Sequence, residues 1–201
     1  MLVSILIPSL FERQEKASKL VQGLYNQIKD NKLEDLVEVI CITDNRTVKL
    51  SDKRNMLQKL SSGKYFMALD DDDEITNDYC KTVIDHIQYL ESLDKEYDVI
   101  GYNQLAKVQG KRFIVRPSLH CDLNLSQQCP QDPPVFARFP WQWCLWHEKY
   151  KKVYRTDSDT NAREDQNWLK KVQLEYPKTM STIDKVLHIY NFDDPSESTC
   201  Q

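Results

Sequence analysis

The chain has 201 residues, 29% of them charged and 40% hydrophobic, with a formal net charge of −4. That length allows one domain with a substantial core, and the balanced composition excludes disordered and fibrous classes. The negative balance argues against nucleic-acid binding by phosphate neutralisation, despite short basic stretches at 112–116 and 149–152.

The opening run Leu2-Val3-Ser4-Ile5-Leu6-Ile7 has no basic flank and is too short for a targeting segment, so it reads as a buried first strand. Ala17, Leu20, Val21, Leu24, Tyr25 and Ile28 recur at three- and four-residue intervals and predict an amphipathic helix. Residues 37–42 form a second strand. Met56, Leu57 and Leu60 mark a short helix ending before Ser61-Ser62-Gly63, and residues 65–69 form a third strand. A further helix carries Cys80, Val83, Ile84, Ile87 and Leu90, and residues 98–102 return to the sheet. This β-α-β-α-β-α-β order predicts a mainly parallel α/β sheet flanked by helices.

Beyond it, Gln109-Gly110 suggests a turn between two extended stretches, and residues 117–141, rich in Pro, Asn, Gln and Asp, read as irregular. Extended structure is expected around residues 143–153, then a helix with Trp168, Leu169 and Val172 inward, then a strand at 185–189. The six cysteines make no CxxC pair, so neither structural zinc nor a disulfide framework is expected. No apolar run approaches the roughly 20 residues that span a bilayer. Any membrane contact would be peripheral, and the default compartment is cytoplasmic.

Open α/β sheets bind ligands beyond the carboxyl ends of their parallel strands. Three polar clusters stand there: Pro8-Ser9, Thr43-Asp44-Asn45 and Asp70-Asp71-Asp72-Asp73-Glu74. Carboxylates crowded on one loop repel unless a cation joins them, and Mg²⁺ or Mn²⁺ takes oxygen ligands of this kind. Extended geometry would put Asp70 and Asp72 on one side and Asp71 and Asp73 on the other. The alternative is a solvated acidic turn capping the helix that starts near Thr76-Asn77. An EF-hand is excluded, because the required Gly and Glu positions hold Ile75 and Lys81.

Five segments together resemble the family 2-like glycosyltransferases of the GT-A fold: residues 3–9, Ile42-Thr43-Asp44-Asn45, Lys53-Arg54-Asn55, residues 63–73 and Arg163-Glu164-Asp165. The resemblance covers most of the chain and is thin between Gln104 and Asn161. It implies a single Rossmann-like GT-A domain over 1–201, with a nucleotide-sugar-binding half (1–105) and an acceptor-binding half (106–201).

Carried over residue by residue, the resemblance implies that Pro8 and Ser9 lie along the nucleotide, that Asp44 contacts the base, and that Asp70 and Asp72 hold the metal, with Asp70 and Asp71 on the donor side. A carboxylate at Asp44 can accept the uracil N3–H, which favours a UDP-sugar; an Asx turn without a ligand is the alternative. Arg54 and Asn55 open a helix beside the implied diphosphate, where guanidinium groups and helix N-termini suit phosphate oxygens. Leu10-Phe11 departs from the family's Tyr-Asn and removes the expected ribose or base contacts there.

The Glu164-Asp165 pair matches the family's general base, with Asp165 the preferred member; a helix N-terminal acidic pair is the alternative. His188, within Leu187-His188-Ile189-Tyr190-Asn191, reads either as a further metal ligand or as a structural histidine in an apolar strand. Trp141 and Trp143 share strand parity and are candidates to stack on acceptor sugar rings. The implied activity is inverting transfer of a sugar to a hydroxyl of a glycan or glycoprotein acceptor. A sugar-nucleotide nucleotidyltransferase lacks its Gly-rich loop here, and a non-catalytic carbohydrate-binding module could dispense with Asp165.

Overall fold

The computed structural model describes residues 1–129, 131–155 and 164–192. The first half runs β1 (Val3–Leu10), α1 (Gln14–Asp30), β2 (Val37–Asp44), α2 (Leu50–Leu60), β3 (Tyr65–Ala68), the two-residue β4 (Glu74–Ile75), α3 (Tyr79–Ser92) and β5 (Val99–Val108). The second half adds β6 (Lys111–Pro117), β7 (Ser126–Cys129), β8 (Val135–Arg138), β9 (Leu145–His147), a 3₁₀ segment at Glu148–Lys152, α4 (Glu164–Leu174) and β10 (Met180–Phe192).

Strand β1 is buried from Val3 to Ser9 because it has parallel partners on both edges, β2 and β3. A strand covered on both faces must be apolar throughout, which is why residues 3–7 read as a near-continuous run rather than an alternation. Helices α1 and α3 bury the periodic faces expected of them: Ala17, Leu20, Leu24 and Ile28 from one, Cys80, Val83, Ile84, Ile87 and Leu90 from the other. Tyr25 falls outside this face and is exposed.

The sheet is mixed. Its order is β2-β1-β3-β9-β5-β6-β8-β7, and β10 runs parallel to β5 along its whole length. Short β9 lies antiparallel between β3 and β5 and carries Trp146, fully buried against Phe139, Tyr150 and Trp168. Gln109 and Gly110 both have positive φ and close the β5–β6 hairpin, as their turn chemistry predicts.

Three elements differ from the sequence reading. Met56 and Leu60 of α2 are exposed, and the inward face is Ser51, Lys53, Arg54, Leu57 and Gln58: this helix packs toward a polar site rather than into oil. Within 117–141, β7 and β8 pair antiparallel, but each is only four residues long, and the alternation of β8, with Val135 and Ala137 buried, is too short to stand out from the surrounding loop. Of residues 143–153 only Leu145–His147 is a strand. Among the described residues no helix is long and apolar enough to cross a membrane.

Gly63 sets the start of the β1–β3 register. A Cβ there would lie 2.6 Å from Ser4 Oγ, 2.7 Å from the Ser4 nitrogen and 2.8 Å from the Tyr65 carbonyl, two of them backbone atoms that cannot give way cheaply. Gly63→Ala is expected to lower unfolding free energy by about 1–3 kcal/mol, the usual cost of overpacking. Urea denaturation that leaves the midpoint unchanged would contradict this.

Candidate active site

Because β1, β2 and β3 are parallel, their carboxyl ends open on one edge of the sheet, and there the polar clusters meet. The Ser9 hydroxyl donates to Asp71 Oδ2 at 2.8 Å, and its carbonyl accepts from Lys53 Nζ at 2.6 Å. Lys53 also pairs with Asp44 Oδ1, while Asp44 Oδ2 accepts the Val48 N–H at 2.7 Å and the Thr47 hydroxyl at 3.3 Å. Burial works against charge on Asp44, but the hydrogen bonds from Lys53 and Val48 outweigh it and hold this carboxyl at about 2. Asp44 thus organises its own loop, and three of its roughly four lone-pair sites are already engaged.

The acidic loop is a turn, closed by the Asp73 N–H donating to the Asp70 carbonyl at 3.0 Å, so the side-to-side alternation expected of an extended segment is lost. Asp71 and Asp72 instead share Arg13, whose Nη2 lies 2.7 Å from an oxygen of each. Burial raises the Asp71 pKa, against the lowering pull of Ser9 and Arg13. Asp73 is buried beside His188 Nε2 at 3.0 Å, and burial raises its pKa too. The run does not cap α3, whose N-cap residue is Asp78.

Arg54 is the hub of the site. Its Nη2 donates to Asp70 Oδ1 and its Nη1 to Glu164 Oε2, each at 2.5 Å. The other Glu164 oxygen accepts from Arg155 Nη1 at 2.7 Å, and all three side chains are buried. Asn55 holds this arrangement by pairing with both the N–H and the carbonyl of Arg155, at 2.7 and 2.9 Å. Gln142 approaches Asp70 Oδ2 at 3.4 Å.

Asp165, next to Glu164 on the first turn of α4, accepts from Trp141 Nε1 at 3.1 Å and from the Gln166 N–H at 2.7 Å. Burial raises its pKa, opposed by Arg54. The Arg138 guanidinium lies 3.4 Å from the centre of the Trp141 ring, and burial pulls its pKa down to about 10 despite Asp165 nearby.

Ser9, Asp44, Arg54, Asp70, Asp71, Asp72, Trp141, Glu164 and Asp165 therefore gather at one edge, and Pro8 is buried in β1 just behind it. Four assignments are corrected. Trp143 is 4% exposed, stacked on His188 with its carbonyl accepting from the Tyr102 hydroxyl, so its ring is core rather than an acceptor platform. His188 is 1% exposed, with Nδ1 against Gln104 and Nε2 against Asp73, and supports the acidic loop from behind. Asn55 spends its amide on the Arg155 backbone instead of a phosphate. Glu164, 2% exposed with both oxygens on arginines, is a buried counter-ion.

Among the described residues no three His, Cys, Asp or Glu side chains converge to hold a metal by themselves. Arg163 and Cys200 lie outside the described residues. Sequence reasoning missed Arg13, Gln142, Arg138 and Arg155, because a lone arginine or glutamine carries no periodic or motif signal.

Glu164→Gln leaves two buried guanidinium groups sharing a neutral amide. It is expected to cost about 3–5 kcal/mol of unfolding free energy, as breaking a buried ion pair does. Denaturation showing a loss below about 1 kcal/mol would mean that Arg54 and Arg155 find other partners.

No protein-family model and no curated protein matches the sequence. Among solved structures, the 1–349 fragment of S. aureus TarS in complex with UDP-GlcNAc is similar over 98% of this chain and 61% of that one, with TM-score 0.61 and 16% identity. The same fragment in complex with UDP matches over 95% and 60%, with TM-score 0.60 and 13% identity. A longer TarS structure matches over 95% of this chain and 37% of its own length, at TM-score 0.60 and 14% identity. The chain thus spans about three fifths of the shorter TarS fragment, and what it shares with that fragment is the GT-A-type α/β fold.

Proposed function

We propose that this chain is a metal-dependent, inverting glycosyltransferase that moves a sugar from a UDP-sugar to a hydroxyl of a glycan or glycoprotein acceptor. The observation that carries this reading is Arg54, which ties the donor-side Asp70 to Glu164 and so sets Asp165 beside the acidic loop in one site. The UDP-GlcNAc and UDP bound by similar TarS structures support a uridine donor. Residues 1–105 then form the donor half and 106–201 the acceptor half, with α4 supplying the chemistry across their boundary.

Asp44, kept ionised by Lys53, has a lone pair left for the uracil N3–H. Ser9 lines the nucleotide path. Asp70 and Asp72 suit a hard divalent ion: their carboxylates are oxygen donors 41% and 36% exposed, and Mg²⁺ or Mn²⁺ held by two such groups would take its other ligands from substrate phosphates and water. Such an ion supplies charge stabilisation for the departing diphosphate. Asp165 takes the proton of the acceptor hydroxyl, and its burial raises its proton affinity toward what a base needs. Trp141 holds that carboxylate by its indole N–H, and with Arg138 on one face of its ring only the other face is left to stack on an acceptor sugar.

Calorimetry is expected to show UDP binding that requires Mn²⁺ or Mg²⁺ and is abolished in Asp72→Asn. Unchanged UDP affinity in EDTA would remove the metal role. Asp165→Asn is expected to lower the transfer rate by roughly 10²–10⁴-fold with donor affinity and melting temperature preserved. Near-normal turnover with a lowered melting temperature would instead make Asp165 a helix cap worth about 1 kcal/mol.

A further inference from the structure

Four consecutive aspartates face three basic side chains from elsewhere in the fold: the Arg54 guanidinium on Asp70, the Arg13 guanidinium on Asp71 and Asp72, and the His188 imidazole on Asp73. Arg13 differs from Arg54 in how it holds its partners. Arg54 uses two nitrogens on two carboxylates in good hydrogen-bond geometry, whereas Arg13 presents a single nitrogen, Nη2, to both of its own. The Nε of each arginine is buried without a hydrogen-bond partner among the described residues, so the difference between them lies in the terminal nitrogens.

The two carboxylates are unequal as well. Asp71 is buried and keeps the Ser9 hydroxyl whatever Arg13 does, while Asp72 is open to solvent and has Arg13 as its ion-pair partner. Arg13 ends a one-turn 3₁₀ segment, Phe11–Arg13, that contributes no buried residue, and Phe11 within it is 62% exposed. Moving this turn opens no core.

We propose that Arg13 is the resident counter-cation of the acidic loop and competes with a divalent metal for Asp72, so that the ion binds well only together with an anionic diphosphate. The inference rests on reading the loop as the metal site of a nucleotide-sugar enzyme. A metal ion arriving alone must displace a guanidinium from the carboxylate it needs. A diphosphate arriving with it offers the displaced guanidinium new oxygen acceptors of the kind arginine favours. Arg13 thereby couples the two ligands and keeps the empty loop from filling with metal.

The test is calorimetry of Mn²⁺ alone, without nucleotide, on the wild-type chain and on Arg13→Gln. Removing the competing charge is expected to tighten Mn²⁺ binding by at least about tenfold. Equal affinities, or no detectable Mn²⁺ binding by either protein, would overturn the proposal. A separate titration of the wild type with UDP and Mn²⁺ together tests the donor reading: failure there sinks that reading, while the metal-only comparison still decides the role of Arg13. If melting curves show Arg13→Gln to be unfolded, Arg13→Lys replaces it, since a flexible, strongly hydrated ammonium holds the two carboxylates less rigidly than the planar guanidinium. A smaller gain in the same direction is then expected, and unchanged affinity would again count against the competition.

Discussion

A carboxylate buried between two guanidinium groups cannot lose one of them without leaving charge stranded in a low-dielectric interior, and Glu164 sits in that position between Arg54 and Arg155. Most of the site's geometry follows. Arg54 belongs to α2 and Glu164 to α4, so the ion pair fixes a helix of the first half against a helix of the second. Arg54 turns its other terminal nitrogen to Asp70, which fixes the acidic loop to the same frame. Well-packed apolar side chains could fill such a space at no loss of stability. What the ionic arrangement provides is direction, because each hydrogen bond specifies where a carboxylate oxygen must lie.

That requirement explains the odd character of α2. An ordinary helix on a sheet turns its apolar stripe inward, yet here Lys53, Arg54 and Gln58 are buried while Met56 and Leu60 face solvent. Leu57 alone anchors the helix to the core from that face. Gln58 and Gln142 share one small cavity with Arg54 and Arg155, and Leu6, Leu57, Phe66, Ala68 and Trp168 form the rest of its lining, so these polar side chains lie against an apolar wall. Lys53 completes the pattern by joining the ends of β1 and β2 through Ser9 and Asp44.

The strands and the two large helices were legible in the sequence because burial imposes a period: β1 is apolar throughout, and α1 and α3 repeat every three to four residues. The acidic loop was legible because like charges in a row are costly without a partner. The identity of the partners was not. Arg13, Arg138 and Arg155 reach their contacts through tertiary folding, and a single arginine between polar neighbours looks like any solvated one. The aromatic cluster misled for a related reason. Trp141 and Trp143 have the same parity, but Trp143 is followed by Cys144-Leu145-Trp146 in a buried strand, and its ring is drawn under His188. His188 itself is brought to Asp73 by the pairing of β10 with two-residue β4, an element too short to leave a pattern.

Adjacent residues on a helix project about 100° apart, and that angle separates the roles of the Glu164-Asp165 pair. One carboxylate must turn into the protein if the other turns toward the cleft. Glu164 is committed inward by two arginines at 2.5 and 2.7 Å, so the helix phase is set and Asp165 is left on the open side. Among the described residues its hydrogen bonds come from neutral donors, the Trp141 indole and a backbone N–H, while Arg54 acts on it as a nearby charge. A carboxylate clamped by guanidinium loses basicity, whereas one held by neutral N–H groups and partly desolvated keeps it. Glu164 thus serves its half-buried neighbour twice, by fixing its direction and by drawing the arginine hydrogen bonds away from it.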